Sequence, residues 1–327
     1  MHPSFHDSIS LRWEHSTPRF EPVPLKDLSW SIADAGTLHG AILVERFRTY
    51  AGKLLDLSDH KIRLNDGASQ LSIDMSSIAV EWEPQCKRLI ELNHDLVQGH
   101  GDVSIVLLLS PGEPFPGHSL GTRPTCMMHL SQLPFAKLDK WYSQGTDLWI
   151  GSQHAVPSTC WSSQIKSRSR LPYFLSDAKA VAERPDALAV LTTTRGSISD
   201  TSVANLLMVD SKGEIASPPR EDILVGCTLL ALERLLLKND VRIQYRDIEA
   251  NELASASEII LTGSSGGVWF AGFLDGVRIG TTDRLMTRML TELWKKHVGV
   301  DFVAQAAQCC RPSESNPGCE LTPLFDR

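Results

Sequence analysis

The chain has no apolar run near the roughly 20 residues that span a bilayer, no basic excess, no CxxC cysteine pair and no internal repeat. The first absence argues against a membrane-spanning helix. The second, a formal net charge of −7, argues against nucleic acid as the main partner. The seven cysteines (Cys86, Cys126, Cys160, Cys227, Cys309, Cys310 and Cys319) are odd in number, mostly isolated, and include no CxxC pair. That pattern fits reduced cytosolic thiols better than a disulfide framework or a zinc site. The first residues, Met1-His2-Pro3-Ser4-Phe5-His6-Asp7, lack a basic region followed by an apolar core, so no signal peptide is expected. What remains is an ordinary globular composition of 327 residues, 42% hydrophobic and 22% charged, long enough for two domains. The expectation is a soluble cytoplasmic protein with no nucleic-acid, membrane or metal partner.

Along the chain, Gly40 to Tyr50 is rich in β-branched and aromatic residues, Ala51-Gly52-Lys53 turns it, and Leu54 to Leu57 resumes an extended run, which predicts a β-hairpin. Ser58 reads as a helix N-cap with Asp59 in the first turn, which places His60 and Arg63 on a short amphipathic helix. Cys86 to Val97 predicts one further helix and Val103 to Leu109 a buried strand. A Pro/Gly-rich loop runs from Pro111 to Pro124, and Met127 to Leu133 reads as a strand. The domain division expected from these signals is residues 1–137, a linker at 138–145, a second domain over 146–309, and a disordered tail at 310–327. In the second part, Tyr173 to Arg184 predicts a helix with Phe174, Ala178 and Val181 inward. Strands are expected at Ala187 to Thr193, around Ile198, at Val203 to Val209 and at Ile259 to Thr262. Leu229 to Lys238 and Asp283 to His297 read as helices.

The candidate chemistry centres on Lys166, in Ser163-Gln164-Ile165-Lys166-Ser167-Arg168, bracketed by Pro157 and Pro172. A lysine beside an isoleucine at the end of a short strand can be partly desolvated, which favours the neutral amine that attacks an aldehyde. The same residues also read as a surface lysine among basic neighbours. Asp200 offers a carboxylate between two extended runs, or is a turn residue. Cys227 and Thr228, after Gly226, offer amides at a helix N-terminus, where an anion is favoured. Ser264 and Ser265 offer hydroxyls in a glycine-rich turn that, by itself, is only a turn. Arg63 offers a cation or a solvated helix face, and His60 reads as a packing or capping residue. An amine, a partner for a pyridinium nitrogen and a phosphate cup are together what pyridoxal 5′-phosphate requires.

The order of these features resembles the fold-type IV, or class IV, pyridoxal-phosphate aminotransferases, which include branched-chain and D-amino-acid aminotransferases and aminodeoxychorismate lyase. The likeness covers roughly Asp34 to Leu293. Asp34-Ala35-Gly36 and Gly40 to Glu45 look like the family's early acidic-x-glycine and glutamate pattern. Leu57-Ser58-Asp59-His60-Lys61-Ile62-Arg63-Leu64 is similar to its leucine-x-x-histidine-x-x-arginine-leucine helix, whose arginine binds the cofactor phosphate. Ile165-Lys166-Ser167 resembles the segment that carries the Schiff-base lysine. Asp200 to Asn205 looks like its glutamate followed five residues later by asparagine. Gly226-Cys227-Thr228 matches the phosphate-binding glycine-x-threonine, and Thr262-Gly263-Ser264-Ser265 is similar to its threonine-glycine-threonine-alanine turn.

There are departures. Asp200 stands where the family carries glutamate, one methylene longer. Val44 replaces an aromatic residue at one wall of the substrate pocket. Ser110-Pro111-Gly112 stands where D-amino-acid enzymes show threonine-arginine-glycine, which leaves Arg123 as the candidate for holding a substrate carboxylate. Leu171 replaces the tyrosine that branched-chain enzymes carry five residues after the lysine. The resemblance implies an α+β fold with a small N-terminal α/β domain, a larger C-terminal α/β domain, the cofactor at their interface, and a homodimer. It implies a transaminase acting on an amino acid and a 2-oxo acid. A lyase of the 4-amino-4-deoxychorismate type and a catalytically impaired relative that binds the cofactor remain as alternatives.

Overall fold

The computed structural model describes residues 4–78, 82–113, 123–280 and 282–310. Its contacts divide into two compact units, residues 1–133 with 165–169, and residues 134–164 with 170–327. The architecture is α+β, with one sheet in each unit.

The first unit opens with a hairpin, β1 (Ile9–Glu14) and β2 (Arg19–Pro24), which sequence patterning had not singled out. A short helix α1 (Ala35–His39) leads into β3 (Leu43–Tyr50) and β4 (Lys53–Leu54), the expected hairpin. Helix α2 (Leu57–Gln70) starts one residue before the expected cap at Ser58, because Asp56, in a left-handed conformation, already turns the chain. The single helix expected over Cys86 to Val97 is two, α3 (Trp82–Leu92) and α4 (His94–His100). They break at Asn93, whose side chain bonds Ile9 of β1 on both its amide and its carbonyl. Then come β5 (Val103–Ser110) and β6 (Thr125–Gln132), and the six antiparallel strands lie in the order β2-β1-β6-β5-β3-β4. Residues 114–122 of the expected Pro/Gly-rich loop fall outside the described residues.

Strand alternation sorts the faces of this sheet. Leu11 and Trp13 of β1, Leu43 and Phe47 of β3, Ile105, Leu107 and Leu109 of β5, and Met128 and Leu130 of β6 fill one core with Leu64 and Ala68 of α2 and Leu89 of α3. Glu45 lies on the same face as Leu43 and Phe47, opposite Leu107, so a carboxylate stands in the middle of an apolar surface.

The second unit begins at α5 (Phe135–Gln144), which corrects the expected linker at 138–145. Phe135, Leu138 and Trp141 recur every three residues and are buried, while Lys137, Asp139 and Lys140 give the segment its polar look. The order continues with β7 (Thr146–His154), α6 (Leu171–Glu183), β8 (Leu188–Thr192), β9 (Ile198–Thr201), β10 (Asn205–Val209), β11 (Ile215–Ser217), α7 (Cys227–Leu237), β12 (Ile243–Tyr245), α8 (Ala250–Ala254), β13 (Glu258–Gly263), β14 (Gly267–Leu274), β15 (Val277–Arg278), α9 (Leu285–Val298) and α10 (Phe302–Cys309). The mixed sheet runs β12-β11-β10-β13-β14-β7-β8-β9, with β15 on β14.

Helix α6 faces its sheet differently from the expectation. Phe174 and Ala178 are exposed, and Ser176 and Ala180 are buried. The physical reason is close approach: a Cβ on Gly151 of β7 would lie 2.1 Å from Ser176 Oγ, so only small side chains fit at that contact. The disordered tail expected at 310–327 falls, from residue 311 on, outside the described residues. Among the described residues no helix is long and apolar enough to cross a membrane.

Candidate active site

In the first unit, the buried Glu45 carboxylate is answered from α2, where His60 and Arg63 are three residues apart and so share a face. Arg63 donates from Nε to Oε1 at 2.8 Å and from Nη2 to Oε2 at 2.7 Å, and His60 Nδ1 stands 2.7 Å from Oε2. Burial alone would raise the Glu45 pKa, but the charge and hydrogen bonds of Arg63, then those of His60, bring it down to about 2. Arg63, only 10% exposed in its side chain, is therefore no solvated helix residue. His60 is the packing residue expected, edge-on to Phe47 with ring centroids 5.0 Å apart.

Lys166 follows Ile165, which packs against the same core. Its carbonyl accepts from Val44 N at 2.9 Å, and Arg168 N donates to Ile42 O at 2.8 Å, with an isolated bridge between Leu43 and Ser167. The segment is thus pinned to the end of β3 and groups with the first unit, although its chain position suggested the second domain. Lys166 is half-buried. Val44 is buried next to it, and Arg123 is exposed. Arg63 and Lys166 thus connect to neighbouring residues of β3, Glu45 and Val44.

In the second unit, Asp200 is inside β9 rather than between strands, and is 3% exposed. Its Oδ1 accepts from the Tyr173 hydroxyl at 2.7 Å and its Oδ2 from Leu224 N at 3.3 Å. Asn205 Nδ2 donates to Leu224 O at 2.7 Å, and Asn205 Oδ1 accepts from Gly226 N at 2.9 Å. Gly226 is the N-cap of α7, which has no side-chain cap, so Cys227 and Thr228 form its first turn, two residues earlier than the expected helix start. A Cβ at Gly226 would meet Asn205 Oδ1 at 2.5 Å, so the clip requires glycine. Asn205 also pairs with Thr262 across β10 and β13, one residue before the Gly263-Ser264-Ser265 turn. Asp200, the α7 N-terminus and the serine turn are therefore tied together through Leu224, Asn205 and Thr262. Ser264 and Ser265 are half-buried.

Two residues of this framework escaped sequence reasoning. Tyr173 was passed over because α6 was phased on Phe174; the small pair Ser176 and Ala180 was the available signal. Gln164 donates to Arg220 O at 2.8 Å and Ile223 O at 2.9 Å, and accepts from Val225 N at 3.2 Å. It holds the loop that leads to Gly226, and nothing in its sequence context announces that.

A family model described as amino-transferase class IV matches residues 42–271. The chain belongs to the class IV aminotransferases. Among curated relatives of this class IV chain, the D-alanine aminotransferase of Bacillus licheniformis is 24% identical over 250 residues, 76% of this chain and 84% of that one. A branched-chain-amino-acid aminotransferase-like protein of Arabidopsis thaliana is 26% identical over 282 residues, and the match covers 84% of this chain and 49% of that longer protein. The solved branched-chain amino acid aminotransferase of Escherichia coli superposes with a TM-score of 0.73 at 17% identity, covering 88% of this chain and 93% of that one. That superposition bears out the fold-type IV expectation.

The residues present fit the cofactor the family implies. In the first unit Arg63 is a fixed cation, and in the second the first turn of α7 has no side-chain cap; each by itself suits an anion such as a phosphate. A protonated ring nitrogen calls for a buried, oriented carboxylate, which Asp200 is.

Proposed function

We propose that this class IV aminotransferase is a pyridoxal 5′-phosphate enzyme that moves an amino group from an amino acid to a 2-oxo acid. The observation that carries the reading is the family match over residues 42–271, which takes in every position proposed for the chemistry, from Val44 to Ser265. The aminotransferases among the matched relatives support amino transfer over lyase chemistry.

When bound, the cofactor supplies an aldehyde that takes up the amino group and a ring that accepts the electron pair left at Cα. Lys166 would supply the amine that holds the cofactor and, as a free amine, the base that carries the Cα proton and returns it. Its main chain is pinned to Val44, so the amine moves from a fixed base. Arg63, the amides of Cys227 and Thr228, and the hydroxyls of Ser264 and Ser265 are the groups that would hold the phosphate. Asp200 is the carboxylate that would keep the ring nitrogen protonated. Val44 lines the substrate pocket, and Arg123 is assigned to the substrate carboxylate. A homodimer belongs to the same reading.

The test is a single-turnover reaction of the cofactor-loaded protein with a range of L- and D-amino acids, followed by oxo-acid detection. Loss of the visible band, release of a 2-oxo acid and accumulation of the pyridoxamine form are expected with at least one amino acid. Pyruvate release without a pyridoxamine form, from 4-amino-4-deoxychorismate, would replace the transaminase by the lyase.

A further inference from the structure

Arg170 is the N-cap of α6 and Tyr173 lies in its first turn; Asp200 is in β9 and Ser202 follows just beyond its end. The two pairs meet. The Tyr173 hydroxyl donates to Asp200 Oδ1 at 2.7 Å, and Arg170 Nη2 donates to the Ser202 carbonyl. The Arg170 guanidinium also lies over the Tyr173 ring, 4.4 Å from its centroid. The phenol is thus held from two sides by residues anchored beside the carboxylate it bonds.

We propose that Tyr173 is a positioning residue for Asp200, the phenol fixing the orientation of a carboxylate one methylene shorter than the glutamate of the class IV pattern. The proposal rests on the reading of Asp200 as the partner of the ring nitrogen. An aspartate carboxylate sits one methylene nearer its strand, so the same reach demands a single orientation. Tyr173 and the Leu224 amide supply that orientation, one on each oxygen. A carboxylate oxygen accepts more than one hydrogen bond, so both contacts are compatible with a further donor. A neutral O–H donated to a carboxylate also favours the ionised acid, the form that keeps a pyridine protonated. The phenol responds in the complementary way: burial, then the charge and hydrogen bond of Asp200, hold its pKa well above the ordinary tyrosine range.

The positioning role can be read with Asp200→Asn, Tyr173→Phe, Arg170→Gln, Asp200→Glu and the double variant Tyr173→Phe/Asp200→Glu. Each protein is loaded with pyridoxal 5′-phosphate; the pH dependence of its visible band, the cofactor Kd and the single-turnover rate are measured. Asp200→Asn should shift the pH at which the band titrates. Tyr173→Phe and Arg170→Gln should shift it in the same direction by less, with Tyr173→Phe slowing turnover about tenfold, roughly 1.4 kcal/mol of barrier. Asp200→Glu alone drives its carboxylate into a phenol already 2.7 Å away and should be slow. The double variant should recover most of that loss, a non-additivity that only a coupled pair produces. If Asp200→Asn moves the band while Tyr173→Phe and Arg170→Gln leave band and rate as in the wild type, the positioning role is wrong and the Asp200 assignment stands. An unmoved band in Asp200→Asn itself removes the reading beneath it.

Discussion

Glu45 and Arg63 meet through two parallel hydrogen bonds, at 2.8 and 2.7 Å, on the apolar face of the first unit's sheet. The Glu45 side chain is 1% exposed. An ion pair in that setting contributes to stability mainly through what its loss leaves behind, an uncompensated buried charge.

The first prediction follows from the acid. The folded pKa of Glu45 is about 2 against an ordinary 4.5. A depressed carboxylate contributes stability that is fully present above the unfolded value and is lost as pH falls through the folded one. The window is therefore pH 4.5 down to about 2, and the contribution is roughly 3 kcal/mol. Urea unfolding of wild type and Glu45→Gln should differ strongly at pH 7 and converge toward pH 2.5. A gap that is the same at both pH values would show that Glu45 is not held ionised by Arg63 and His60.

Arg63→Ala has two separable effects. It leaves Glu45 with His60 as its remaining named partner, which should destabilise the cofactor-free chain by about 3–5 kcal/mol. It also removes a charged hydrogen bond from the proposed phosphate site, worth roughly 1.5–3 kcal/mol, so cofactor Kd should rise by one to two orders of magnitude. Thermal melts without cofactor read the first effect and titration with cofactor at low temperature reads the second. An unchanged Kd would confine Arg63 to a structural role.

Much of this was legible before the structure. The motif residues are short-range features, since Gly226-Cys227-Thr228 names a helix start and Ile165-Lys166-Ser167 names a segment. The partners of those residues were not legible, because they depend on which elements touch. Arg63 could be read as a cofactor-binding cation or as a solvated helix residue, since its own helix does not show that the facing strand carries a buried acid at Glu45. Tyr173 was lost to an error of one residue in helical phase, caused by reading Phe174 as core where the tight Gly151–Ser176 contact excludes it. The linker expected at 138–145 failed because three charged residues outweighed Phe135, Leu138 and Trp141 in a local reading.

Gly226→Ala tests the clip at the start of α7. The glycine has φ −74°, which alanine adopts freely, so backbone strain is not at issue. The new Cβ would instead stand 2.5 Å from Asn205 Oδ1 and push the side chain off both Gly226 N and Leu224 O. Loss of these bonds should cost about 1–3 kcal/mol of stability and weaken cofactor binding about tenfold. Asn205→Ala should reproduce both changes. Cofactor affinity equal to wild type in both variants would detach Asn205 from the phosphate site.

Lys166 is the residue on which the functional account depends. Borohydride treatment of the cofactor-loaded protein, followed by proteolysis and mass spectrometry, locates the lysine that holds the cofactor covalently. The account predicts a single labelled peptide containing Lys166, no label in Lys166→Ala, and a folded variant without the visible band or turnover. Label on Lys137, Lys179 or any other lysine in the wild type would contradict it.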